Sequence, residues 1–149
     1  MKKIKLLICC LVLINLAFGQ IKNNLTGKWQ AESKELTSMN LDTYQFLNNG
    51  RFTFEPDGYN GLNRIISISG RYKIKGDTLL LTPEFTKEIT GGYPVRSEST
   101  TLSDTWEIIQ GQIKTFSCKK RLCQPAIIKI NPDNKTFTLD ERKFFKLDE

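Results

Sequence analysis

Residues 64–81 read RIISISGRYKIKGDTLLL. From residue 66 to residue 75, apolar residues, tyrosine and glycine occupy the even positions, whereas serine, arginine and lysine occupy the odd ones. A two-residue period is typical of a β-strand with one buried and one solvated face. Gly76-Asp77 then interrupts the period, as expected of a two-residue hairpin turn in which glycine adopts a positive φ. The stretch therefore predicts a β-hairpin on a two-faced sheet.

Turn signals recur at short intervals through the rest of the chain. They are Asn48-Asn49-Gly50, Pro56-Asp57-Gly58, Gly76-Asp77, Gly91-Gly92, Gly111-Gln112 and Asn131-Pro132-Asp133-Asn134. Between them we predict strands over Lys28–Glu32, Thr43–Leu47, Arg51–Glu55, Ile65–Lys75, Thr78–Thr82, Thr101–Gln110, Gln112–Cys118, Pro125–Ile130, Thr136–Leu139 and Lys143–Leu147. Such regular punctuation predicts an antiparallel meander of about eight to ten strands.

A sheet with this many consecutive strands must either split into a sandwich or close on itself. Closure removes the exposed edges that invite aggregation, and the long strands at Ile65–Lys75 and Thr101–Gln110 favour it. We therefore predict an all-β fold, a single antiparallel up-and-down barrel, with a β-sandwich as the alternative. Ala31–Met39 is predicted to be either a short helix or a loop.

The first 19 residues are predicted to be a signal peptide. Lys2 and Lys3 precede an apolar run over residues 4–16, and Lys5 lies at its start. Ala17-Phe18-Gly19 places small residues where a signal peptidase cleaves. The run is shorter than the roughly 20 residues that cross a bilayer. We expect cleavage after Gly19, loss of Cys9 and Cys10 with the peptide, no remaining membrane anchor, and a secreted or periplasmic protein.

Residues 20–149 are enough for one domain. Loss of the three lysines lowers the formal net charge from +6 to +3. Charges alternate with apolar residues along the predicted strands, which argues against nucleic acid as the main partner. The basic segment Lys119-Lys120-Arg121 is a local exception.

Cys118 and Cys123 are the cysteines that remain after export. In an oxidising compartment, two strand ends that flank a four-residue loop predict a disulfide. The alternative is a redox or metal site, but the spacing is not Cys-x-x-Cys and the chain contains no histidine. We therefore predict a disulfide at this tip, and no metal or cofactor.

The absence of histidine also excludes Ser-His-Asp and Cys-His catalysis. Paired carboxylates would be the remaining catalytic route, and three glutamates, Glu84, Glu88 and Glu98, surround Gly91-Gly92. Scattered acids in a loop are usually solvated, and an acid pair requires a defined separation. The sequence therefore predicts a binding protein and not an enzyme.

Leu25-Thr26-Gly27-Lys28-Trp29 resembles the Gly-x-Trp opening of lipocalins. The segments that follow, over residues 44–54 and 70–81, resemble the successive hairpins of small secreted bacterial lipocalin-like domains. This resemblance implies that Trp29 plugs the closed end of the barrel. It also implies that a basic residue near the last strand packs over Trp29, with Arg142 the first candidate and Lys143 the second.

A lipocalin-like barrel would hold a small apolar or amphipathic molecule in its interior. The predicted lining residues are Phe46, Phe54, Ile68, Tyr72, Leu81 and Trp106. An eight-stranded barrel can instead be filled by its own side chains. In that alternative the protein is a surface-loop interaction module or inhibitor, and the predicted loop Thr86–Thr100 binds a protein partner, because long loops in compact domains are often functional.

Overall fold

We describe the protein from a computed structural model. It describes residues 25–32, 41–58, 61–96, 106–119 and 123–147. The predicted signal peptide and most of Ala31–Met39 lie outside these ranges. Within them the chain forms nine β-strands: β1 (Gly27–Ala31), β2 (Thr43–Phe46), β3 (Arg51–Glu55), β4 (Ile65–Lys75), β5 (Thr78–Arg96), β6 (Trp106–Ser117), β7 (Gln124–Ile130), β8 (Thr136–Leu139) and β9 (Arg142–Lys146).

Eight of these strands close into an antiparallel barrel. The pairing runs from β1 through β2, β3 and β4 to β5, continues through β7, β8 and β9, and returns to β1. With β6 set aside, strands adjacent in sequence are adjacent in the barrel, and the pairing of β1 with β9 closes it. The prediction of an up-and-down barrel is thereby confirmed, and the sandwich alternative is excluded.

Strand β5 organises the remaining part of the fold. One of its edges pairs with β4, while its other edge pairs first with β7, through residues 78–81, and then with β6, through residues 85–96. Strands β6 and β7 therefore lie end to end along β5. Since β4 begins opposite Glu88, β5 and β6 continue beyond the barrel as a two-stranded ribbon formed by residues 89–96 and 106–113.

This ribbon corrects the predicted loop at Thr86–Thr100, because residues 86–96 belong to β5 and residues 97–100 lie outside the described ranges. Gly91-Gly92 and Gly111-Gln112 were predicted as turns, yet both lie within strands. Gly91 and Gly92 have φ of 68°, and the facing Gln110 has φ of 57°. Positive φ in both strands bends the ribbon here without reversing the chain.

The centre of the barrel is filled by aromatic side chains. Trp29 meets Phe137 edge to face with ring centroids 4.9 Å apart, and Phe137 stacks on Phe144 at 4.9 Å. Phe46 is fully buried and contacts Tyr72, also with centroids 4.9 Å apart. These separations are those of closely packed rings, so the interior is a packed core in this part of the molecule.

Candidate functional site

The connections divide between the two ends of the barrel. The short turns at 47–50, 76–77 and 131–135 lie at one end, which we call the closed end. The connections after β1 and β3, together with the ribbon, lie at the opposite end, which we call the open end. This division follows from the alternating directions of antiparallel strands.

Trp29 is completely buried and anchors the closed end. Its indole Nε1 donates a hydrogen bond of 2.6 Å to the carbonyl oxygen of Leu25, which is also buried. Lys146 lies over the ring, with Nζ 5.5 Å from the centroid. The basic residue stacked on Trp29 is therefore Lys146, and the predictions of Arg142 and Lys143 for this position were wrong.

Arg142 lies at the opposite end of β9 and holds a different set of partners. Its NH1 pairs with Asp42 and its NH2 lies 3.1 Å from Glu32. Residues 142, 144 and 146 share one face of β9 because side chains alternate along a strand. The register pairs Lys146, and not Arg142, with Trp29, so Arg142 instead joins the strands at the open end.

Tyr44 lies between the core and this ionic cluster. Its ring packs on Phe54 with centroids 4.6 Å apart. Burial raises the pKa of the Tyr44 hydroxyl to about 12, and the negative charge of Asp42 adds to the increase. The hydroxyl therefore stays neutral at physiological pH.

One row of side chains continues from the barrel interior onto the ribbon side of the molecule. Phe54 is directly opposite Ile68, Ile68 is opposite Thr86, and Thr86 is opposite Phe116. Directly opposed residues in an antiparallel sheet share a face. The row is half-buried at Phe54, Ile68 and Thr86, and Phe116 is 44% exposed. We call these four residues the open-end face.

The next pair along β5 and β6 is polar, since Glu88 lies opposite Lys114. The ribbon beyond this pair is fastened to the β3–β4 connection. Arg64 donates hydrogen bonds to the carbonyl oxygens of Ile89, at 3.2 Å, and Gly91, at 2.7 Å. A side chain at Gly61 would overlap the carbonyl oxygen of Trp106. These contacts keep the ribbon next to the open end.

The sequence profile of the lipocalin-like domain family matches residues 25–106. The chain belongs to the lipocalin-like domain family. The matched residues include β1 to β5, which contribute Trp29, Tyr44 and three members of the open-end face. No curated protein and no solved structure matches this chain significantly.

The predicted lining residues of this lipocalin-like protein fall into three groups. Phe46 and Leu81 belong to the packed core, and Tyr72 packs against it. Phe54 and Ile68 lie nearer the open end, on the open-end face. Trp106 lines no part of the barrel, since it begins β6 on the ribbon and is 48% exposed. The two-residue period indicates which side of a strand faces inward. It does not indicate how far β5 and β6 extend beyond the barrel as a ribbon.

Cys118 and Cys123 are both free thiols in the structure, so the predicted disulfide is not formed. The two thiols have different surroundings. Cys118 lies at the end of β6, with Sγ 3.7 Å from Thr86 Oγ1. Cys123 is exposed, just before β7, and borders a groove on the outer surface. Lys119 is exposed, and residues 120–122 lie outside the described ranges.

The acidic candidates are also separated. Glu84 is buried and forms ion pairs with two arginines, Glu88 lies opposite a lysine, and Glu98 lies outside the described ranges. Within those ranges no three potential metal ligands cluster. No helix long and apolar enough to cross a membrane occurs there either.

Two features of the open end were not predicted, namely the Arg142–Asp42–Glu32 cluster and the place of Phe116 opposite Thr86. Both depend on contacts between residues far apart in sequence. The alternation around Phe116 was a signal for a strand, but only the register of β6 against β5 joins it to the barrel interior.

Proposed function

We propose that this lipocalin-like protein is an exported binding protein that holds a small apolar or amphipathic molecule at the open end of its barrel. The observation that carries the proposal is the continuous row from Phe54 through Ile68 and Thr86 to the exposed Phe116. Membership of the lipocalin-like domain family supports a binding role.

Packing supports the open end over the deep interior as the binding position. The rings of Trp29, Phe46 and Phe137 occupy the centre of the barrel. Phe116, by contrast, exposes a large apolar ring beside half-buried neighbours. Full burial of an aromatic side chain contributes about 1.5–3 kcal/mol, and a ligand that covers the exposed part of Phe116 gains a share of this.

Polar groups at the same end suit the head of an amphipathic ligand. Glu88 and Lys114 follow the open-end face along the sheet, and the Arg142–Asp42–Glu32 cluster joins the strands at this end of the barrel. The proposed role involves no reaction, because the chain lacks histidine and its buried Glu84 is occupied by arginines.

Two variants of β6 test this function. Residues 116 and 113 lie on opposite faces of one strand, and Ile113 is 61% exposed, which makes Ile113→Asp a matched control for Phe116→Asp. The probe is 11-(dansylamino)undecanoic acid, whose fluorescence rises in an apolar site. We expect Phe116→Asp to weaken binding about tenfold or more, or about 1.4 kcal/mol, since it removes an aromatic contact and places a carboxylate against the apolar probe.

Ile113→Asp is expected to leave the affinity for the probe within about twofold, because its side chain is on the outer face. Equal loss in both variants, or an unmodified protein that does not bind the probe, would contradict the proposal.

Export is part of the proposed function and has its own test. Residues 17–19 predict a mature protein that begins at Gln20 and carries no lipid. The intact mass of protein recovered from the exporting cell is expected to equal that of residues 20–149. A mass that includes the apolar run, or an added acyl group, would exclude this processing.

A second candidate function is supported by the outer face of the ribbon. Tyr93 and Ile113 are both highly exposed on the ribbon, and β6 forms an edge of the sheet. Exposed apolar groups of this kind are typical of protein interfaces. A photo-crosslinking residue at position 113 is expected to join a specific partner in this candidate, whereas one at Lys129, near the closed end of the barrel, is not.

A further inference from the structure

A groove on the outer wall of the barrel concentrates positive charge. Arg71, Lys73 and Lys75 occupy the odd, outward positions of β4. Across the sheet they face Thr82, Leu80 and Thr78 of β5, respectively. The groove that they form has a volume of about 400 Å³ and is bordered by Cys123. We call it the outer groove.

Glu84 is a buried residue of the groove lining and forms ion pairs with two arginines. It lies where the β4–β5 register shifts, and only 8% of its side chain is exposed. Its Oε1 lies 3.1 Å from Nε of Arg71, and its Oε2 lies 3.5 Å from NH2 of Arg51. Arg51 and Arg71 are directly opposed, so the shared carboxylate offsets the repulsion between two neighbouring guanidinium groups.

The arrangement leaves net positive charge facing solvent. Among the residues that the structure describes, three cations line the groove against one carboxylate, and that carboxylate is buried and already paired. The ion pair with Glu84 involves Nε of Arg71, and the side chain of Arg71 is 70% exposed. Glu84 is therefore a positioning residue that fixes the direction of Arg71.

We propose that the outer groove binds the phosphate or sulfate group of a small ligand. Arginine and lysine side chains recognise such oxyanions through charge-assisted hydrogen bonds. A volume of about 400 Å³ is within the range of small-molecule sites, and Leu80 supplies an apolar contact for the carbon skeleton attached to the oxyanion. This site is separate from the open-end face, because outward and inward residues of β4 lie on opposite sides of the sheet.

Cys123 provides a reporter within the groove, and Cys118 provides a control in the same molecule. Reduced protein is treated briefly with iodoacetamide, and the alkylation of each cysteine is measured by mass spectrometry of its peptide. The additions are inorganic pyrophosphate, inorganic sulfate, and sodium chloride at equal ionic strength. We expect pyrophosphate and sulfate to slow the alkylation of Cys123 in a saturable way and to leave Cys118 unchanged.

A variant pair tests the residues of the site. Lys73→Gln with Lys75→Gln removes two groove cations, and Lys87→Gln with Lys129→Gln makes the same change in net charge on exposed strand positions outside the groove. The first pair is expected to raise the half-protecting concentration of pyrophosphate about tenfold or more, since two charge-assisted contacts are lost. The second pair is expected to change it less than about twofold.

Three results would overturn the proposal. They are the absence of protection by both oxyanions, equal protection by sodium chloride, and equal weakening by the two variant pairs. The first result shows that no oxyanion binds, and the other two show that general charge screening accounts for the effect. None of them bears on the binding of the dansyl probe at the open end.

Discussion

Trp29 connects three parts of the closed end at the scale of a single residue. It packs against Phe137 in the core, bonds to the backbone of Leu25, and lies beneath the ammonium group of Lys146. We expect Trp29→Ala to lower the free energy of unfolding by about 3–5 kcal/mol, because it removes a large, fully buried aromatic side chain. Urea unfolding of the variant measures this value.

The same variant is expected to retain affinity for the dansyl probe under conditions where it is folded, since Trp29 lies at the end of the barrel away from the open-end face. Near-normal stability together with altered probe binding would contradict the structural role of Trp29.

The raised pKa of Tyr44 predicts that the free energy of unfolding depends on pH in the alkaline range. Its pKa of about 12 in the folded protein exceeds the ordinary value of 10.0, so the unfolded chain loses this proton first as the pH rises. The stabilisation is fully present below pH 10 and is lost between about pH 10 and pH 12, with a total of about 2–3 kcal/mol. Tyr44→Phe has no proton to lose at this position and is expected to show a smaller decrease.

Tyrosinate absorbance provides the measurement. The chain has four tyrosines, and we expect Tyr44→Phe to remove a transition centred near pH 12. If the transition that disappears is instead centred near pH 10, Tyr44 is not shielded as described.

The position of Lys146 over Trp29 could not be predicted from the sequence pattern of β9 alone. The resemblance to lipocalins implied a basic residue over Trp29 near the last strand, and residues 142, 144 and 146 share one face of β9. Selecting among Arg142, Phe144 and Lys146 requires the register of β9 on β1, which depends on the packing of both strands against the core. A pattern in one strand does not contain that register.

At the scale of elements, Gly70 shows why β4 and β5 can approach closely. It is buried, and a Cβ atom there would overlap the carbonyl oxygen of Thr82 on β5. We expect Gly70→Ala to lower stability by about 1–3 kcal/mol, since the backbone of one strand must move. Thermal and urea unfolding both measure the effect.

Gly76→Asn is the matched control. Gly76 lies in the adjoining hairpin turn with φ of 61°, and no atom lies within 4 Å of its added Cβ. Because asparagine tolerates this conformation better than most residues, we expect a smaller loss than for Gly70→Ala. The reverse order would show that the approach of the two strands is not the constraint.

The bounds of several strands were predictable from the sequence, but the full length of β5 was not. The bounds of Arg51–Glu55, Ile65–Lys75 and Thr136–Leu139 agree with the sequence pattern, because each is an alternating run between clear turns. Gly91-Gly92 was assigned to a turn since paired glycines permit positive φ. A bend inside a ribbon can use positive φ as well. The pairing with β6 shows that these glycines form a bend and not a turn.

For the whole molecule, alternating strands between regular turn signals predicted an antiparallel sheet, and the number and length of those strands favoured a closed barrel over a β-sandwich. Whether the barrel is filled was not predictable, because it depends on which inward rings meet. Trp29, Phe137 and Phe144 come from three strands, and they fill the centre only in the observed register. The same register carries the inward row out to Phe116, which places the candidate site at the open end.

We propose that the ligand lies on the open-end face and not deep within the barrel. Methyl NMR of the protein with dodecanoic acid tests it most directly, through contacts between ligand protons and assigned methyl groups. We predict ligand contacts with Ile68 and none with Leu79, which is completely buried in the core, or with Ile113 on the outer face. Contacts with Leu79 would place the ligand deep within the barrel, and contacts with Ile113 alone would place it on the outer face. Either result would contradict binding at the open-end face.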